Sequence, residues 1–137
     1  MLHIVETYRS AVCTLNASIG GGIFAHVFGL FYLKRVDIPT LMSGILGSLV
    51  SITAICAVVR PGESIFIGFV GSVIAICGWI LIEKLKIDDP VGAISTHAGG
   101  AIWGMLAVGL FVEKDPLEGF SSDYGVLKGG SSKVCAN

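Results

Sequence analysis

The stretch "IDDPVGAISTHAGGAIWGMLAVGLF", residues 87–111, decides how the rest of the chain is read. Two aspartates and a proline open it. Between Asp89 and Glu113 lie 23 residues with no Asp, Glu, Lys or Arg. A helix needs about 20 residues, at about 1.5 Å each, to cross a hydrocarbon core about 30 Å thick. This run is therefore a candidate membrane span. Inside it stands one histidine, His97, among Ala, Gly, Ser and Thr. An ionisable side chain at membrane depth is costly and normally faces a bundle interior or a cavity.

Moving outward, charge-free runs of the same length recur. They cover residues 10–33, 38–59 and 64–82, of 24, 22 and 19 residues. Four such runs in succession predict an all-α, polytopic membrane bundle with about four transmembrane helices near 10–33, 38–59, 64–82 and 90–112. Composition agrees. Only 14% of the 137 residues are charged and mean hydropathy is +0.83, whereas soluble domains are charged at about a quarter of positions. With a net charge of −1 and no basic run, no nucleic-acid partner is expected.

The links "KRVD", "RPGE" and "EKLKIDD" are short, which makes neighbouring spans antiparallel. Lys34, Arg35, Lys84 and Lys86 lie in the first and third links, and Arg60 alone in the second. The excess of Lys and Arg places the first and third links in the cytoplasm and both termini outside. The start, "MLHIVETYRS", lacks a basic region followed by an apolar core and a cleavage site. Such a start is expected of a chain entered partway through. Residues 113–137 mix Gly, Ser, Asp and Lys without a period and read as an extracellular loop or disordered tail.

Small residues recur along the spans. "GILGSLVS" and "IGFVGSVIA" place Gly and Ser on one face, as close helix packing in lipid requires. The triplet Gly20–Gly22 either kinks the first span or admits a neighbour. Cys13, Cys56, Cys77 and Cys135 form no CxxC pair, so neither a metal site nor a disulfide framework is expected. No nucleophile, metal cluster or phosphate loop suggests an enzyme, and no cofactor is expected. His3 and His26 receive no role.

For a helix beginning near Asp89, His97 lies about 12 Å along the axis, near the bilayer midplane. At about 100° per residue, Ala93, Gly100, Ala101 and Gly104 share its face, while Ser95, Ile102, Leu106 and Leu110 fall opposite. The histidine then stands on a small, smooth wall. Asp88 or Asp89 serves as helix cap, with Pro90 in the first turn. Two roles for His97 stay open on these grounds: a hydrogen bond between helices, or a polar contact for a small solute.

The stretch resembles the late pore helix of the ammonium transporter family, which includes the Rhesus-type channels. The shared pattern is a pair of aspartates, a proline, a histidine at the Asp89-to-His97 spacing, then glycines and a run ending in Gly-Leu-Phe. "LNASIGGG", "LMSGILGSLVSITAICAVVRPGESIFIGFVGSVI" and "EKLK" are similar to the three preceding helices in order, so the likeness covers about Asn16 to Phe111. The resemblance implies helices seven to ten of an eleven-helix protein, a homotrimer in the full-length form, and a plasma-membrane location. It implies ammonium or ammonia as solute and His97 as one of two pore histidines. Asp88, Asp89, Ala93, Gly100 and Gly104 are the accompanying pore-facing or helix-cap candidates. Ala98 and Ala101 stand where the family often has glycine. The family's other histidine, aromatic gate and outer vestibule lie on earlier helices, so the chain alone is expected to be inactive. The alternative is a short structural or modulatory membrane protein that associates with full-length transporters.

Overall fold

A computed structural model describes residues 2–112 and 125–128. Helix α1 spans Leu2–Phe28 and continues as a wide π turn, Gly29–Leu33. Helix α2 spans Ile38–Thr53, α3 Pro61–Lys84 and α4 Gly100–Phe111. A second π turn, Ser95–Gly99, leads into α4, and a short 3-10 turn lies at Val126–Lys128. Helix α3 packs against α1, α2 and the π turn before α4, and α4 also rests on α2.

The helices are patterned in the opposite sense to those of a water-soluble bundle. Along α1, Val12, Leu15, Ile19, Ile23 and Val27 point outward, while Cys13, Ala17, Gly21 and Ala25 point in. Along α2 the buried positions are Thr40, Ser43, Gly44, Gly47, Ser48, Ser51 and Ile52, and Met42 and Leu46 face out. Lipid is as apolar as Leu, so large side chains gain nothing by turning inward, and small ones let backbones approach. Among the described residues two helices, Thr7–Leu33 and Pro61–Lys84, are long and apolar enough to cross a membrane.

The glycine triplet leaves α1 unbroken. Instead it admits two neighbours: a Cβ on Gly20 would strike the Ile65 carbonyl of α3, and one on Gly21 would lie 2.5 Å from the Ser48 side chain of α2. Buried hydroxyls are satisfied locally or across helices. Ser64 donates to the Pro61 carbonyl at 2.7 Å, and Ser72 of α3 donates to the Gly21 carbonyl of α1 at 3.0 Å. In hydrocarbon no water is present to take those hydrogen bonds.

The second helix is shorter than the charge-free run 38–59 that announces it. It starts where Asp37 accepts the Thr40 N–H at 3.2 Å and the Thr40 hydroxyl at 2.7 Å. It ends at Thr53, and tighter bonds follow, Ile55 N–H to Ile52 and Val58 N–H to Ile55, each at 3.0 Å. Side chains of α1 then serve the exit: Arg9 Nε donates to the Val59 carbonyl and Asn16 Nδ2 to the Pro61 carbonyl, both at 3.0 Å. The apolar core, with Cys13, Ala17, Ile52, Ile55, Val59, Ile67 and Ala107, gathers at this end.

Candidate functional site

The turn that carries His97 is built from its N-terminal side. Helix α3 gives way after Lys84, and Lys86 takes a left-handed conformation with φ 57°. Gly92 follows with φ 63°, a conformation glycine adopts without cost. Asp88 is exposed. The Asp89 carboxylate accepts two backbone N–H groups, Ala93 at 3.0 Å on one oxygen and Ile94 at 2.9 Å on the other. Both donors lack a partner at a helix start, and the negative charge suits that end of the helix.

The helix therefore begins at Ala93 and not near Asp89, because Asp89 is spent capping it. His97 lies only about 6 Å along its axis. Its level in the bundle is better read from its neighbours. A Cβ on Gly78 would lie 2.9 Å from the Ser95 Cβ, and one on Gly99 would lie 2.9 Å from Ile74 Cγ2. Gly78 and Ile74 stand six and ten residues before Lys84, or about 9 and 15 Å inside the end of α3.

Around the π turn the side chains sort sharply. Ser95 and Thr96 are buried, at 5% and 3% exposure, whereas His97 and Ala98 are exposed. Ser95 closes the turn by donating to the Gly92 carbonyl at 3.0 Å. Downstream, Gly100 and Gly104 are buried against α2: a Cβ on Gly100 would lie 3.0 Å from Val50 Cγ1, and one on Gly104 2.8 Å from the Ser51 carbonyl oxygen. Ala101, Gly104 and Met105 line one side of a groove of about 380 Å³, with Val50, Thr53 and Ala54 on the other.

The single small-residue stripe expected around His97 is thus divided. Ala93 and Ala101 are exposed as His97 is, but Gly100 and Gly104 turn to α2. The expectation assumed an unbroken 3.6-residue period, and a π turn inserts about one extra residue. His97 is accompanied instead by Ile94, Ile102 and Met105, which are 51%, 63% and 73% exposed. The opposite face is split for the same reason, with Ser95 buried and Leu106 exposed. Two contacts carry no signal in spacing alone: the Ser51 hydroxyl, which reaches the Gly47 carbonyl at 2.7 Å and that of Gly100 at 3.3 Å, and the Trp103 indole N–H, which donates to the Ile67 carbonyl at 3.1 Å.

A family model described as the Ammonium Transporter Family matches residues 1–136. The chain belongs to the ammonium transporter family. It is 46% identical over 115 residues to "Putative ammonium transporter 3" of Caenorhabditis elegans, covering 84% of this chain and 17% of that protein. To "Ammonium transporter 1 member 2" of Arabidopsis thaliana it is 42% identical over 103 residues, covering 73% of this chain and 20% of the relative. Its fold is similar to that of a solved "Sensor Amt Protein", with a TM-score of 0.77 and 36% identity over 80% of this chain and 27% of the other. The chain thus spans about a fifth of the length of these curated relatives, and the helices of this family member correspond to that part of the fold.

Proposed function

We propose that this chain forms part of the wall of an ammonium-conducting pore and that His97 is the polar group that meets the solute in it. Membership of the family supports ammonium as the solute. The observation that carries the role of His97 is its position. An imidazole stands exposed on an otherwise apolar face, about 9–15 Å inside the end of α3. A polar ring does not face lipid at that level without a partner or a water-accessible path. Neutral imidazole carries one donor and one acceptor nitrogen, which suits both a hydrogen bond to ammonia and the passing of a proton. The rest of the wall is supplied by residues outside this chain, and the complete assembly is a homotrimer in the plasma membrane.

The test compares transport with folding in a complete transporter that contains these helices. His97→Ala is expected to impair or alter ammonium uptake into liposomes while the yield of detergent-extracted oligomer stays close to that of the parent. A ring bordering a pore fills little packed volume, so its removal should cost well under the ~3–5 kcal/mol of truncating a packed aromatic. Yield that falls in step with transport would show His97 to be a hydrogen bond between helices instead.

A further inference from the structure

We infer that the π turn under His97 is a one-residue mismatch held between two anchors, and that Ser51 is the positioning residue on the downstream side. The inference rests on the role proposed for His97 and adds what aims the ring. Upstream, three features fix the rotation of the chain: the Asp89 cap on Ala93 and Ile94, the left-handed Gly92, and the contact of Ser95 with Gly78. Downstream, a separate set fixes α4. Gly100 and Gly104 pack closely against α2, where a Cβ at Gly104 would lie 2.8 Å from the Ser51 carbonyl oxygen. The Trp103 indole donates to the Ile67 carbonyl of α3 at 3.1 Å.

These two registers cannot both be met by an unbroken α-helix. An α-helix advances about 100° per residue, which would carry Gly100 and Gly104 round to the face of His97 and away from α2. An extra residue in the turn sets the downstream part back by about the same angle. Gly100 and Gly104 then meet α2, while His97 points away with Ala101 and Met105. Single π turns of this kind are frequent at functional sites.

Ser51 sits at the junction. It is fully buried, and its hydroxyl reaches both the Gly47 carbonyl of its own helix and the Gly100 carbonyl just after the turn. The hydroxyl is also wedged against Gly71 of α3, where an added Cβ would strike it. The single O–H is shared, its shorter branch on Gly47 and its longer one on Gly100, and in a buried site without water that longer branch biases Gly100 toward one rotation. Ser48 provides the contrast. It is equally buried, but its hydroxyl donates to Ile45 of its own helix, at 2.6 Å.

The test uses the full 137-residue chain in detergent and needs no transport assay. Single cysteines are placed by Thr96→Cys or His97→Cys in a background with the native cysteines replaced, and alkylation rates are compared. The exposed position 97 should react many-fold faster than the buried position 96. Ser51→Ala should erode that contrast several-fold, and Ser48→Ala should leave it intact. An unchanged contrast in Ser51→Ala would overturn the role of Ser51. In a second arm, deletion of Ala98 should leave the chain folded, because it removes the slack and an ordinary helix then satisfies both anchors. Deletion of Ile102, beyond Gly100, should unfold α4. Equal tolerance, or equal collapse, of the two deletions would overturn the mismatch. Failure here with His97→Ala still blocking transport would leave the pore role standing; success with transport unaffected would remove that role alone.

Discussion

At Asp37 one carboxylate does three things. It caps α2, accepts the Thr40 hydroxyl and lies 3.8 Å from Arg35. The Thr40 hydroxyl foremost, then its N–H, and more weakly Arg35, hold the Asp37 carboxyl below the usual aspartate range. The linkage sign follows. A group whose folded pKa is depressed contributes stability that is present above its unfolded value, near 3.9, and lost as pH falls through that value toward the folded one. Asp37→Asn is therefore expected to lower the melting temperature at neutral pH and to flatten its fall below about pH 4. Melting curves in detergent between pH 7 and pH 3, for parent and variant, check this. A variant with the parent's acid profile would show that other carboxylates set it. Asp37 is half-buried, but its partner Arg35 is exposed and screened, so the effect is modest.

For a whole element, the prediction concerns packing. Gly104→Ala should destabilise the bundle by about 1–3 kcal/mol, because the methyl meets the rigid Ser51 backbone and one helix must move. Gly62→Ala, in the first turn of α3 with nothing within 4 Å of its Cβ, should stay within about 0.5 kcal/mol. Denaturation in mixed micelles distinguishes the two, and equal stabilities would mean that α2 and α4 are loosely apposed. The elements themselves were largely legible. Runs without Asp, Glu, Lys or Arg coincide with α3 within a few residues and with α1 from Ser10 to its end, whereas α1 itself starts at Leu2 and takes in Glu6 and Arg9. The same signal overstated α2, since it records where charges stand and not where i→i−4 bonding stops. It also could not place the start of the last helix, because the capping role of Asp89 and the left-handed Gly92 delay that start to Ala93. The facing of Gly100 and Gly104 was not legible at all. It depends on one inserted residue, which leaves no mark on composition, and on the Ser51 and Trp103 bonds to distant carbonyls.

For the molecule as a whole, two predictions concern the membrane. The Lys and Arg asymmetry predicts that the link at Lys34–Asp37 is cytoplasmic and that Arg60 lies outside. In intact cells, with the native cysteines replaced, an impermeant thiol reagent should label Gly62→Cys and spare Val36→Cys; the reverse pattern would invert the topology. The extracellular placement expected for the tail falls, at residues 113–124 and 129–137, beyond the described residues. The chain expressed alone should not support growth of cells that depend on an ammonium carrier, because it spans only about a fifth of the length of its curated relatives. Robust growth would mean that copies of this chain close a pore among themselves. The apolar outward faces and small inward ones were visible in the sequence as Gly and Ser spacing.

The brevity of α2 has a consequence for the surrounding bilayer. Sixteen residues extend about 24 Å, short of a hydrocarbon core about 30 Å thick. Beyond Thr53 the chain runs through tight turns to Arg60, and Arg9 and Asn16 of α1 donate to the Val59 and Pro61 carbonyls there. A membrane meets such a deficit by thinning at that flank. The protein should favour lipids with short or unsaturated chains beside α2 and, in a bilayer of mixed thickness, should collect in the thinner regions.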